Sequence, residues 1–189
     1  MVWGETMDVR HVTHMPQGIG WWMRLHRACV GLVCAIASTL AWAEPLPTPS
    51  GRVILSVEGA ISHTNAGDRA DFDSAMLEAL PSRGISTSTP WTDGVTHFEG
   101  PLASAVLEVV GAHGRQLVIT ALNDYSVTVP VSDLEQYQVI LAMRQGGERL
   151  RIRDKGPLFL IYPFDDYPRL NNEMIHTRSI WQIRRIRVD

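Results

Sequence analysis

Gln116–Val131 reads QLVITALNDYSVTVPV. Apolar residues alternate with polar ones on both sides of Asn123-Asp124, a pair that favours tight turns. The spacing predicts two antiparallel strands, Gln116–Leu122 and Tyr125–Val131. A tight hairpin of this kind needs a sheet to join, so the segments around it should supply more strands.

They do. Arg52–Val57 alternates, with Val53, Leu55 and Val57 on one face. Ile85–Trp91 leans to β and is rich in Thr and Ser, and Asp93-Gly94 signals a turn before Val95–Phe98. Val139–Met143 and Arg149–Arg153 flank Gln145-Gly146-Gly147-Glu148 as a hairpin. Leu158–Tyr162 is a continuous apolar run, and Ile180–Val188 forms an arginine-rich last strand. Helical signals are fewer and shorter. Asp71 or Asp73 can cap a helix carrying Phe72, Ala75, Met76, Ala79 and Leu80, which Pro81 ends. Pro101 suits the first position of a helix with Leu102, Val106, Val109 and Val110 on its apolar face, closed by Gly111 or Gly114. Ser132 can cap one turn through Leu134. The predicted class is α+β, a mixed and mainly antiparallel sheet with a few short helices.

Upstream of this domain the chain carries an export pattern. Arg24, His26 and Arg27 precede an apolar run from Ala28 to Leu40, and Ala41-Trp42-Ala43 gives small residues at a cleavage site. The run is shorter than the roughly 20 residues a membrane span needs. The expectation is a signal peptide over 23–43, cleaved after Ala43. Residues 1–22 are then an upstream extension, with Met23 the true start, or a long n-region. Residues 44–51, with three prolines, read as a stiff linker before the domain at 52–189. Arg24 and Arg27 do not form a twin-arginine pair, and neither Cys29 nor Cys34 sits in a lipobox. The expected route is the general secretory one, to the periplasm or outside, with no membrane span after cleavage.

Cys29 and Cys34 are the chain's two cysteines. Residues 44–189 therefore make no disulfide, thiolate metal site or cysteine nucleophile. Over that span 14 Lys+Arg stand against 18 Asp+Glu, a net −4, which gives no basic field for nucleic acid. Other motifs stay weak. Gly146-Gly147-Glu148 superficially matches a nucleotide cyclase signature but sits in a turn. His63, His97, His113 and His176 lack paired metal spacing, and His97 reads as a sheet-face residue. Asp165-Asp166 could hold a hard cation or act as an acid/base pair, with a solvated loop the simpler reading. Trp91 and Trp181 read as core aromatics. There is no Gly-x-Ser-x-Gly elbow.

Six blocks in order resemble the molybdopterin-binding oxidoreductase domain, the sulfite-oxidase-type fold. They are Phe72…Leu77-Glu78-Ala79-Leu80-Pro81, Trp91-Thr92…Phe98-Glu99-Gly100-Pro101-Leu102, Ala121-Leu122-Asn123-Asp124-Tyr125, Leu141-Ala142-Met143, Lys155-Gly156-Pro157-Leu158 and Arg178-Ser179-Ile180-Trp181. The resemblance covers roughly Arg52 to Val188. It implies a cleft for a molybdenum–pterin cofactor, with a cysteine thiolate on the metal from the loop before the tryptophan block. Here that loop reads Ile85-Ser86-Thr87-Ser88-Thr89-Pro90-Trp91, and the ligand position falls near Thr87 or Ser88. A neutral hydroxyl is a poor substitute for a soft thiolate. The family's enzymes also take up cofactor in the cytoplasm and tend to leave folded, unlike a chain exported by the general route.

The expectation is therefore a cofactor-free binding or sensory module rather than a working molybdenum oxidoreductase. By position, its cleft takes Ser88, Thr89, Trp91, Asn123, Asp124, Tyr125 and the Lys155-Gly156-Pro157 turn. Arg178 and Ser179 lie where the resemblance puts the pterin's phosphate end, and could accept an anion. A small planar or anionic ligand, or a membrane sensor, are the expected partners. The alternative is a periplasmic molybdopterin-dependent oxidoreductase, with Ser88 or Thr89 near the metal.

Overall fold

A computed structural model describes residues 46–189, and the expected signal peptide lies outside the described residues. The hairpin that opened the sequence reading is present as β5 (Gln116–Ala121) and β6 (Ser126–Pro130). Leu117 pairs with Val129 and Ile119 with Val127, so the apolar face of each strand turns the same way. Asp124 adopts φ 66° in the turn, a left-handed conformation that Asp tolerates better than most residues.

Around this hairpin a five-stranded sheet forms in the order β2-β1-β11-β5-β6. β1 is Leu55–Gly59, β2 Ala70–Phe72 and β11 Ile183–Val188. The first and last strands of the domain lie side by side in parallel, and the other pairs are antiparallel. A four-stranded antiparallel sheet contains β3 (Ser82–Ser88), β4 (Val95–Pro101), β8 (Arg144–Gln145) and β9 (Glu148–Arg149). Between them runs a ribbon of β7 (Ile140–Ala142) and β10 (Phe159–Ile161). Four short helices complete the domain: α1 Ser74–Glu78, α2 Ala103–Val109, α3 Val131–Tyr137 and α4 Glu173–Arg178. The fold is α+β with mainly antiparallel sheet.

The ribbon explains why its sequences are apolar without a break. Ile140, Ala142, Phe159 and Ile161 face one core cluster with Ile85, Phe98 and Leu150. Leu141 and Leu160 face the larger cluster, which gathers Leu55, Val57, Leu117, Ile119 and Val106. Successive side chains point to opposite faces, and here both faces are covered.

Several expectations need correction. Val139–Met143 meets Arg149–Arg153 only where Met143 O accepts the Leu150 amide, because Ile140–Ala142 pairs with Phe159–Ile161 instead. The Gly146-Gly147 turn does form, with φ of 58° and 82°, but joins only the two-residue strands β8 and β9. Asp73 caps α1 by accepting from the Met76 amide at 2.9 Å. Asp71 and Phe72 belong to β2, where Asp71 accepts from the Ser56 hydroxyl. Pro101 ends β4 rather than starting a helix, and α2 follows Leu102. α3 is longer than the single turn expected from Ser132. Val53 lies outside β1 and is exposed. Among the described residues, no helix is long and apolar enough to cross a membrane.

Candidate functional site

An aromatic ladder leads from the smaller core cluster to the surface. Phe98 packs edge-on against Phe159 at 6.0 Å between ring centroids. Phe159 meets Trp91 at 5.7 Å and Trp181 at 5.8 Å, and the two tryptophans meet each other at 5.7 Å and 68°. His176 of α4 stands edge-on to Trp91 at 5.8 Å. Such T-shaped pairs put a ring's positive edge on its neighbour's negative face, worth about 0.5–1.5 kcal/mol beyond burial. The positions follow from the backbone. Trp181 is held by a bridge to Phe159, and Trp91 follows the end of β3, where Thr89 Oγ1 accepts its amide at 3.2 Å.

At the outer end of the ladder is a cavity of about 430 Å³. Trp91, Trp181, Tyr125 and His176 supply its rings, and Asn123, Thr177, Ser179 and Gln182 its polar groups. Trp181 is 36% exposed and Tyr125 52% exposed, so neither is a core residue. The expectation for Trp181 is corrected accordingly, while Trp91 is partly buried and packs against both clusters. The Thr177 and Ser179 hydroxyls and the Gln182 amide nitrogen donate to backbone carbonyls, so it is the aromatic walls that suit a small planar ligand.

The cleft residues expected from the sequence divide into two groups. Trp91, Asn123 and Tyr125 come together around the cavity, and Ser179 borders it without presenting its hydroxyl. The others are engaged elsewhere. Ser88 is clamped by Asp165, whose oxygens accept the Ser88 hydroxyl at 2.5 Å and amide at 2.9 Å. Thr89 is buried and shares a hydrogen bond with Thr92 at 2.8 Å. Asp124 is ion-paired with Arg184. Lys155 and Gly156 form a tight turn in which a Gly156 side chain would strike the Leu150 carbonyl oxygen. Pro157 lines a different cleft. Arg178 donates from Nη1 to Asp133 Oδ2 at 2.8 Å, and the buried Ser179 hydroxyl donates to the Ile175 carbonyl at 2.9 Å. The anion expected at Arg178 thus meets a guanidinium already paired with a carboxylate.

Asp133 is the centre of a buried network. Its Oδ2 also accepts the Tyr162 hydroxyl at 3.0 Å, and Tyr162 is fully buried. Burial, then the neighbouring Asp133 charge, raises the Tyr162 pKa far above 10.0, so the hydroxyl remains a donor. Asp165 is shifted the other way. The Ser88 hydroxyl and then the Ser88 amide hold its carboxyl below the usual range. Its neighbour Asp166 pairs with Arg83 at 2.9 Å, so the two acids part company and do not form a cation site. Among the described residues, no group of three or more His, Cys, Asp or Glu side chains could hold a metal ion.

Thr87 and Ser88, at the position where the resemblance puts a metal ligand, do not fit a molybdenum centre. Thr87 is fully buried and its oxygen accepts the Asp165 amide at 3.1 Å, while the Ser88 hydroxyl is spent on the same residue's carboxylate. Both are hard, neutral oxygens, and no cysteine occurs from residue 46 to the end.

Four lining residues were not legible as such in the sequence. Trp181 reads as core, His176, Thr177 and Gln182 carry no motif, and only the placing of α4 and the chain's path into β11 bring them to the cavity.

No family model and no curated protein matches the chain. Among solved structures, the chain is similar to the sulfane dehydrogenase SoxCD from Paracoccus pantotrophus, with a TM-score of 0.54 and 18% sequence identity. The match covers 71% of this chain and 37% of that one. At this identity the likeness concerns the fold alone, and it agrees with an α+β domain.

Proposed function

We propose that the chain is an exported binding module that takes a small planar, polar ligand in the Trp91–Trp181–Tyr125 cavity and carries no molybdenum. One observation supports this reading above the others: the partly exposed rings of Trp181 and Tyr125 converge with Trp91 and Asn123 around about 430 Å³. Leaving Trp181 and Tyr125 partly in water forgoes burial energy, and a stacking ligand restores it. The hydroxyls at Thr87 and Ser88, tied to Asp165, argue against the family's thiolate-bound metal. The export pattern at 23–43 supports a site outside the cytoplasm.

The test is a fluorescence titration with planar heterocycles: a free pterin, a flavin, a purine and nicotinamide. The reading predicts saturable quenching by at least one of them, weakened at least tenfold in Tyr125→Ala and Trp181→Ala. Quenching by none of them, or equal affinity in both variants, refutes it.

A further inference from the structure

In a regular strand, neighbouring side chains point to opposite faces. β11 breaks that rule at its start. Ile183 pairs with Ala121 and Arg185 with Thr120, so two steps along β11 match one along β5 and Arg184 is an inserted residue. Gln182, just before it, adopts φ 53°, a left-handed conformation that non-glycine residues seldom take. Bulges re-aim side chains. This one brings Arg184 and Arg185 to a single cleft of about 620 Å³, separate in its lining from the aromatic cavity.

Four more arginines line the same cleft: Arg52, Arg69, Arg149 and Arg151. Six of the 14 positive residues of 44–189 thus meet at one place on a chain segment of net charge −4. The lining includes one acid, Glu58, which Arg185 approaches only at 3.4 Å. The carboxylates paired with Arg69, Arg149, Arg151 and Arg184 are Asp71, Glu78, Asp154 and Asp124, and none of these lines the cleft. Arg52 makes no ion pair among the described residues. These pairs hold the guanidinium groups in place without tying up all five donors of each. The apolar side chains of Val53, Leu122 and Ile152 are exposed in the same cleft.

From this arrangement we propose that the arginine cleft binds a small organic anion with two or more negative charges, phosphate or carboxylate. The planar guanidinium fork matches both groups bidentately. The exposed apolar residues give the ligand's carbon frame a surface, and the volume is that of a small-molecule site.

Calorimetric titration of the full chain at low ionic strength, with pyrophosphate and with citrate, tests the proposal. At least one probe should bind saturably at one per chain. Arg52→Gln/Arg151→Gln should weaken it at least tenfold with an unchanged thermal melt, since Arg52 has no ion-pair partner and Arg151 pairs within its own turn. If the double variant melts early, Arg52→Gln alone replaces it, with a threefold or greater loss expected. Trp181→Ala should leave this binding intact, which separates the cleft from the aromatic cavity. Preference for pyrophosphate identifies a phosphate ligand, and preference for citrate a polycarboxylate. Absence of saturable binding by both probes, or unchanged affinity in the arginine variants, overturns the proposal.

Discussion

Replacing Tyr162 with phenylalanine removes one oxygen from the middle of the domain and little else. The ring is fully buried in the larger core cluster, and phenylalanine fills the same space. What disappears is the hydroxyl's hydrogen bond to Asp133 Oδ2 at 3.0 Å. A hydrogen bond to a charged acceptor is worth about 1.5–3 kcal/mol. Asp133 keeps Arg178 at 2.8 Å and is not orphaned, which puts the loss near the lower end, about 1.5 kcal/mol. For a domain of this size that lowers the melting temperature by about 3–6 °C. Asp133→Ala should cost more, about 3 kcal/mol, because it strands both a buried phenol and a mostly buried guanidinium, whose side chain is 22% exposed. Alkaline pH supplies an independent arm. The folded Tyr162 pKa lies above its unfolded value of 10.0, so the stability tied to its protonated form is complete below pH 10 and declines as pH rises beyond it. Tyr162→Phe should lack that part of the decline. Urea unfolding followed by circular dichroism, at neutral pH and again above pH 10, measures both. A Tyr162→Phe loss below about 0.5 kcal/mol, or an alkaline slope equal to the wild type's, refutes the network as described.

Three further predictions concern the surroundings of the site. Asp165 and Asp73 have folded pKa values below the ordinary 3.8, the first through the Ser88 hydroxyl and the second through the Met76 and Gly51 amides. Their stabilisation is present above that ordinary value and is lost as pH falls through the lowered ones. Acid unfolding of Asp165→Asn should therefore show a shallower pH dependence below pH 4 than the wild type. A Cβ at Gly156 would overlap the Leu150 carbonyl oxygen, so Gly156→Ala should destabilise by about 1–3 kcal/mol, read by thermal melting. Ser88→Cys should not create a molybdenum site, because Asp165 still accepts the amide at that position and holds the backbone there; elemental analysis of the purified protein checks it.

Local signals in the sequence were readable where the structure is itself local. The β5–β6 hairpin follows from alternation and the Asn123-Asp124 turn, and α1 from the Asp73 cap. Leu158–Tyr162 reads as a buried strand because its two faces both meet core. Its partner is not readable in the same way, since Ile140–Ala142 is equally apolar on both sides and could pair with either neighbour in sequence. The parallel pairing of β1 with β11 joins opposite ends of the domain and leaves no local trace. The same reasoning covers the site. The residue types at Ser88 and Arg178 suggest ligands, yet each is taken by a carboxylate far along the chain, Asp165 and Asp133. Arg184 and Arg185 look like ordinary strand residues until the bulge at Arg184 is seen.

Molybdenum content tests the central claim most directly. Protein purified from its native host, grown with molybdate, is analysed by mass spectrometry of the element against protein concentration. The hydroxyl pair at Thr87 and Ser88, already bonded to Asp165, predicts molybdenum far below one atom per chain. A value near one atom per chain would contradict the account and make the chain an oxidoreductase with a non-cysteine metal environment.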